Sequence, residues 1–337
     1  MSSIILTSVF TSINSGHIIK FGIEDVWDVV TGNVSGSEFI GGLLDAVWRS
    51  MYHGLYKLTR IVFGNIQNVL NDGILRSRNI INSTPKEWNE TAFSFIKGVA
   101  ENAAIPIAGC IITFIFCWQL ISMVQEGNQM HNIKPETIIL LLMKLVICLL
   151  VCAKSFEIVC GLFDLGHWAT EQITFVEIDN PDGDGKIDFN IVLDENPEEC
   201  GFGEVMAMLV NLIMTVVAEG IVYVLNVVMI INVSMWYLEL LIYASAAPIP
   251  FSTFINKEWG QVGLNYLRKM LAMSFQGFFM IVAFGIYEAM VINIIGSAGN
   301  APDQYMMSIV TTCGCGFGLA MILNKSGSIA SSIFNAH

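Results

Sequence analysis

The chain has 337 residues, of which 54% are hydrophobic and only 13% are charged, and its mean hydropathy is +0.62. A soluble domain usually carries about a quarter charged residues, so this chain has too little polar surface for a water-facing globule. The net charge of −13 argues against a nucleic-acid-binding surface spread over the protein. We therefore expect an all-α protein: a polytopic bundle of five or six transmembrane helices, with N-terminal amphipathic helices and an acidic hydrophilic loop.

Residues 1–100 contain no apolar run long enough to be a span, and half of all Lys and Arg residues, eight of sixteen, fall there. Between residues 39 and 70 the apolar residues recur at helical spacing. They form one stripe: Ile40, Leu44, Val47, Met51, Leu55, Leu58 and Val62. A helix with this pattern, aromatic neighbours and basic charges lies in a membrane interface or packs against protein, and the sequence leaves both open.

The apolar runs begin after residue 100. Residues 101–160 form a two-span hairpin, residues 161–204 a hydrophilic loop, residues 205–325 a C-terminal transmembrane bundle and residues 326–337 a tail. An apolar run of about 20 residues crosses the hydrocarbon core. The predicted spans are 103–124, 137–153, 205–231, 233–250, 270–296 and 304–323. Because only Asn232 separates the third from the fourth, these two are alternatively one long bent helix or a span with a re-entrant segment.

Four ionisable residues lie inside the predicted spans: Lys144, Glu219, Glu239 and Glu288. Each charge costs roughly 2.5–3.5 kcal/mol at the centre of a bilayer, so such groups face the bundle interior, pair with one another or line a wet path. Lys144 with Glu219 or Glu288 is the pairing that the sequence suggests. A hydrated conduit and a buried structural ion pair are both consistent with it.

The hydrophilic loop is strongly acidic and contains a calcium-loop-like pattern. Residues 180–188 read Asn-Pro-Asp-Gly-Asp-Gly-Lys-Ile-Asp. Oxygen ligands at alternate positions and a glycine at the turn are what such a loop requires. The candidate metal site comprises Asn180, Asp182, Asp184, the backbone carbonyl of Lys186, and Asp188. Because Asn180 replaces the usual first aspartate and Ile191 takes the last ligand position, a solvated acidic turn is the alternative.

Most of the eight cysteines lie in apolar runs and are expected to behave as small hydrophobic residues. Cys160 and Cys200 differ because they bracket the acidic loop and can link its ends. The five histidines show no metal-ligand spacing, and no nucleophile–base arrangement occurs, so we expect no enzyme activity. Apart from calcium, no cofactor is expected.

Two segments carry a family resemblance. Residues 244–254 read Ala-Ser-Ala-Ala-Pro-Ile-Pro-Phe-Ser-Thr-Phe, and residues 271–277, after a lysine, read Leu-Ala-Met-Ser-Phe-Gln-Gly. Together with a span, hairpin and lysine-containing apolar run over 118–147, they resemble the TrbL-like family of membrane subunits of conjugative type IV secretion systems, in the form found on Gram-positive mobile elements. The motif residues are Pro248, Pro250, Lys269, Gln276 and Gly277.

This resemblance implies a multi-pass protein of the cytoplasmic (inner) membrane that helps to form the path for single-stranded DNA with its bound relaxase. It implies contacts with the system's ATPases and other membrane subunits, and homo-oligomers. It also implies an extracytoplasmic N-terminus and acidic loop, whereas the distribution of basic residues alone gives conflicting signals. The calcium-like insertion is not part of the family pattern.

Two other function classes remain open. The intramembrane carboxylates suggest a secondary transporter or ion-coupled permease, although no repeat relates the two halves of the sequence. A non-conducting scaffold that anchors other subunits through its first 100 residues is the third possibility.

Overall fold

A computed structural model of the protein describes residues 36–126, 135–174, 200–256, 258–297 and 302–336. All regular elements in these ranges are helical, which confirms the all-α fold class. The long helices are α1 (Gly36–Ile81), α4 (Ile105–Glu126), α5 (Pro135–Ala153), α6 (Ser155–Thr174), α7 (Phe202–Ser245), α9 (Gly260–Ser297) and α10 (Pro302–Ile333). Short helices are α2 (Pro85–Trp88), α3 (Glu90–Val99) and α8 (Pro248–Phe251), with a π-turn at Ala100–Ala104 and a 3₁₀ turn at Ser252–Ile255.

Four continuous helical segments in the described residues are long and apolar enough to cross a membrane. They are Glu90–Gln125, which runs from α3 through the π-turn into α4, Phe202–Ser245 (α7), Gly260–Ile294 (within α9) and Met307–Ile333 (within α10). A bent pair, Ile138–Ala153 with Ser155–Ile173, makes a fifth crossing if it is one span. This supports the polytopic bundle with four or five crossings in the described residues, where the sequence predicted five or six. The difference lies in α7, where the two spans predicted on either side of Asn232 are one helix.

Asn232 does not break α7 because its side chain is satisfied within the helix. Its amide nitrogen donates to the carbonyl of Val228, one turn back, at 2.9 Å. A polar side chain bonded in this way leaves the backbone ladder intact. A 44-residue helix is about 66 Å long, more than twice the hydrocarbon thickness, so α7 extends beyond the bilayer.

Helix α6 occupies residues that the sequence suggested were largely hydrophilic. The chain bends by 61° between α5 and α6 at Lys154 and then continues as helix to Thr174. The hydroxyl of Ser155 donates to the carbonyl of Cys152 at 2.8 Å, a local bond of the kind found where helices kink. The part of the predicted loop up to residue 174 is therefore helical, because its apolar residues recur at helical spacing among the acidic ones.

Helix α1 buries a different stripe from the one predicted. Its buried residues recur every three or four positions: Tyr56, Thr59, Phe63, Ile66, Leu70, Ile74, Ser77 and Ile81. Four members of the predicted stripe are exposed instead: Ile40, Leu44, Val47 and Met51. The C-terminal part of α1 packs against protein, and the apolar stripe predicted for its N-terminal part is largely exposed.

A capped turn follows α1. The hydroxyl of Thr84 accepts from the backbone of Glu87, and the Glu87 carboxylate accepts from the backbone of Thr84, which forms a capping box at the start of α2. These bonds hold the pKa of the exposed Glu87 carboxyl below its usual value. Trp88 then stacks on Tyr237 of α7 at 4.9 Å, and the Tyr237 hydroxyl donates to the carbonyl of Ser83. The turn is thereby fixed to α7.

The described residues form two compact units. Unit 1 contains 36–71, 200–225, 290–297 and 302–316; among its contacts, Trp48 meets Phe202 edge to face at 5.7 Å. Unit 2 contains 72–126, 135–174, 226–256, 258–289 and 317–336. Its largest fully buried side chains include Tyr237, Phe251 and Phe284. The sites described below lie within unit 2, except for Glu219, which belongs to unit 1.

Candidate functional site

Glu288, one of the four intramembrane charges, is buried on α9 and bonded to Arg78 of α1. The Arg78 guanidinium donates to the carboxylate at 2.8 Å. The partner suggested by the sequence, Lys144, was wrong for Glu288. Sequence reasoning missed Arg78 because it lies in the basic first third, where no span was expected.

Two glycines of unit 2 allow close packing between the helices that carry this ion pair and α7. Five residues before Arg78, a Cβ added to Gly73 would stand 2.6 Å from the Asn226 side chain of α7. On α9, a Cβ added to Gly277 would stand 2.9 Å from the Trp236 ring and 3.2 Å from Ile81. Glycine at both positions lets α1 lie against α7 and α9, which explains the packing role of the motif residue Gly277.

Glu239 and Lys269 line one cavity, which we call the polar cavity. Its volume is about 580 Å³ and it lies between α7, α9 and the end of α10. The lining consists of Glu239, Lys269, Gln276, Asn324, Gly327, Ser328, Ser331, Ser332 and Ala336. A cavity of about 300–1,000 Å³ is the size of a small-molecule site, and this one is lined mainly by polar residues between helices whose other faces are apolar.

Hydrogen bonds fix part of this lining. The Gln276 amide, which is buried, donates to the Ser326 hydroxyl at 3.0 Å, and Ser326 donates to the carbonyl of Leu323 at 2.6 Å. A Cβ on Gly327 would lie 3.1 Å from the Gln276 side-chain oxygen. Lys269 donates to Ser331 at 3.3 Å. The motif residues Lys269 and Gln276 are therefore held by α10 with defined orientations.

The serine face of α10 was missed at the sequence level, although its spacing was visible. Asn324, Ser328 and Ser331 recur at four and three residues, which places them on one helix face. Ile322, Ile329 and Ile333 are exposed elsewhere on the same helix. Interpreting residues 326–337 as a short tail concealed this amphipathic pattern, because the helix continues to Ile333.

The motif prolines Pro248 and Pro250 lie in the short helix α8, where the long helix α7 has ended. Helices α4 and α5 pack against α8 and the 3₁₀ turn that follows it. Two thiols on α5 bond backbone carbonyls there: Cys152 to Pro248 at 3.6 Å, and Cys148 to Ser252 at 3.5 Å. A thiol is a weak donor, but it satisfies carbonyls that an irregular segment inside a membrane protein leaves exposed.

Lys144 and Glu219 are placed differently from Glu288. Lys144 is exposed on α5, and none of the ion pairs found among the described residues includes it. Glu219 is half-buried on α7 in unit 1. Lys144 therefore projects from an apolar helix without a charged partner in the part of the chain that the structure describes.

The candidate calcium site at residues 180–188 lies outside the described residues and stays a prediction. Within the described ranges, no group of three or more His, Cys, Asp or Glu side chains is placed to hold a metal ion. Cys160 and Cys200 are both free thiols in the structure.

Residues 70–248, just over half of the chain, match the family described as TrbL/VirB6 plasmid conjugal transfer like protein. The match includes Arg78, Lys144, Glu219 and Glu239, and it ends at Pro248, before the motif residues Pro250, Lys269, Gln276 and Gly277. Comparison with curated proteins and with solved structures finds no match for the chain.

Proposed function

The chain belongs to the TrbL/VirB6-like family of plasmid conjugal transfer proteins, and from this premise we propose that it helps to form the path by which DNA crosses the cytoplasmic membrane. The coarse function is that of a multi-pass membrane subunit of a conjugal transfer system. The proposed substrate is single-stranded DNA with its bound relaxase. The proposed partners are further copies of this chain, other membrane subunits and the ATPases of the system.

The observation that carries the proposal is the exposure of Lys144 on α5. A lysine facing hydrocarbon near the middle of a 19-residue apolar helix costs several kcal/mol unless its side chain reaches the interface. A neighbouring subunit or an aqueous path removes that cost. Both arrangements require an assembly larger than one chain, in which Lys144 faces protein or water.

Assembly also meets the geometric need of the transported molecule. A bundle of four or five membrane crossings is too thin to enclose a nucleic-acid strand, so several copies or several different subunits must surround it. The net charge of −13 favours passage over tight binding, because an acidic surface does not retain phosphates. We therefore propose threading through an assembled path, with the acidic loop on the extracytoplasmic side.

The alternative function as a secondary transporter or ion-coupled permease has less support than the sequence alone suggested. It rests on the intramembrane carboxylates, and one of these, Glu288, is engaged with Arg78. Members of the matched family are structural membrane subunits of secretion systems, and the proposal assigns no catalytic step to this chain.

The test is the frequency of DNA transfer from donor cells that carry an in-frame deletion of the gene, with and without the gene restored on a second plasmid. We expect transfer to be lost on deletion and recovered on restoration, with unchanged growth of the donor. Unchanged transfer in the deletion strain would contradict the proposal. Loss of transfer with loss of growth would contradict it as well, because the protein would then have a general role in the membrane.

A further inference from the structure

We propose that the polar cavity is a binding site for the phosphoethanolamine head group of a membrane lipid. This inference does not depend on the role in DNA transfer, because it rests on the lining of one cavity in unit 2. The argument uses two opposite charges, the polar groups between them and the apolar surfaces beside them.

The two charges of the cavity are available to a ligand. Glu239 is exposed, and among the described residues neither a hydrogen bond nor an ion pair joins its carboxylate to another side chain. Lys269 is half-buried and gives one bond, to Ser331 at 3.3 Å, which leaves two of its three donors for a ligand. Two opposite charges that share a cavity without a bond between them fit a ligand that carries both charges itself.

The wall of the cavity supplies neutral polar groups near Lys269. Ser328 and Ser332 line the cavity along with Ser331, so hydroxyl donors stand on the same helix face as the ammonium's partner. A phosphate accepts hydrogen bonds from an ammonium and from hydroxyls together, and such charge-assisted bonds are roughly twice as strong as neutral ones. The phosphate of the head group therefore belongs at Lys269 and the serines.

The surfaces beside the cavity fit the tails of a lipid. Leu238 and Ile242, next to Glu239 along α7, are exposed at 51% and 66%. Ile329 and Ile333, next to the serines of α10, are exposed at 42% and 61%. A polar cavity with exposed apolar side chains on the same helices matches an amphipathic ligand whose acyl chains lie along the protein.

Glu239 selects among head groups. The primary ammonium of ethanolamine donates hydrogen bonds to a carboxylate, whereas a choline group has no N–H to donate. A glycerol head group carries no positive charge, so the Glu239 carboxylate would face a net negative ligand. The geometry therefore favours phosphatidylethanolamine over phosphatidylcholine and phosphatidylglycerol.

The experiment is native mass spectrometry of the purified full-length protein with each of these three lipids, all carrying the same acyl chains. We expect about tenfold more phosphatidylethanolamine than phosphatidylcholine bound at equal concentration, the scale of one charge-assisted hydrogen bond. E239Q should weaken this preference, because the amide oxygen still accepts a hydrogen bond from the ammonium but carries no charge. K269M should weaken binding of both lipids, because it removes the partner of the phosphate. K325M, which changes an exposed lysine of α10 outside the lining, is the matched control and should bind as the wild type does.

Two further arms make the result decisive. Circular dichroism and size-exclusion chromatography establish whether each variant is folded. If K269M is not folded, E239Q still tests the proposal, because Glu239 is exposed and its replacement should not disturb folding. Soluble glycerophosphoethanolamine, added at the same concentration as the lipid, should not compete. Equal binding of the three lipids, an unchanged preference in E239Q, or full competition by the soluble head group would each overturn the proposal.

Discussion

Glu288 and Lys144 occupy the same kind of position in the sequence, an ionisable residue inside a long apolar helix, yet the structure treats them differently. Glu288 is buried and bonded to Arg78 at 2.8 Å, whereas Lys144 is exposed on α5. The first charge is neutralised within the chain and has a structural role. The second needs an environment that the single chain does not supply. A charge in a span therefore indicates function mainly where the chain lacks a partner for it.

Breaking the Arg78–Glu288 pair should have the largest effect. R78L leaves a buried carboxylate without its partner, and we expect a loss of about 3 kcal/mol in the free energy of unfolding, the lower end for a buried pair because Arg78 is 26% exposed. The loss should appear as a lower thermal midpoint of the purified protein and a lower level in membranes. R76L, an exposed change on the same helix, should behave as the wild type does. A thermal midpoint of R78L equal to that of R76L would contradict a stabilising role for the Arg78–Glu288 pair.

Removing both charges of the Arg78–Glu288 pair tests the same interaction. The double variant R78L/E288Q has no buried charge, so it should recover most of the stability lost in R78L. The thermal midpoints of the wild type, R78L, E288Q and R78L/E288Q form a double-mutant cycle. Additive losses would show that the two side chains do not interact.

The packing of α6 against α9 should be nearly as sensitive. A Cβ on Gly166 of α6 would stand 2.2 Å from the backbone oxygen of Ser274, so G166A must move backbone and should cost about 1–3 kcal/mol. Gly161 on the same helix has open space where its Cβ would be. G161A should therefore be neutral or stabilise by up to about 1 kcal/mol through helix propensity. Equal thermal midpoints for the two variants would contradict this close approach.

Removing the charge of Lys144 should leave the stability of the protein unchanged and reduce DNA transfer. K144M keeps the length of the side chain without its charge, so we expect a normal membrane level and a loss of transfer on the order of tenfold, the scale of about 1.4 kcal/mol. K154M, at the exposed bend between α5 and α6, is the control and should transfer normally. A K144M donor that transfers at the wild-type frequency would assign Lys144 to the lipid interface.

The acidic loop should give the smallest effect. If residues 180–188 bind calcium with millimolar affinity, as extracellular calcium modules do, calcium at a concentration equal to the dissociation constant stabilises by about 0.4 kcal/mol. Titration calorimetry of the full-length protein should give heat that D182N/D184N abolishes. The absence of heat at several millimolar calcium would leave a solvated acidic turn.

The fold class and the apolar spans could be predicted because hydropathy over about 20 residues is a strong signal. At Asn232 the structure selects the alternative of one long helix, because a single polar residue can bond its own helix. The helical start of the acidic loop, up to Thr174, was missed because its acidic residues masked an amphipathic period. In that segment a local polar signal was weighed above helical periodicity.

The candidate site was less predictable because it depends on contacts between residues far apart in the sequence. Composition placed Glu288 in a span but could not identify Arg78, which is 210 residues away. Glu239, Lys269 and Gln276 were each singled out, yet their convergence on one cavity follows from the packing of α7, α9 and α10. A single sequence carries no direct record of such pairings.

Photo-crosslinking on α5 tests the central claim most directly. A photoreactive amino acid in place of Ile147, exposed and three residues from Lys144 on the same face, keeps the lysine intact. The same residue in place of Leu142, exposed on the opposite face, is the control. In mating donor cells, position 147 should crosslink to a second copy, another secretion subunit or the transferred strand, and position 142 should not. The absence of crosslinks to protein or DNA at both positions would contradict the account, because Lys144 would then face lipid.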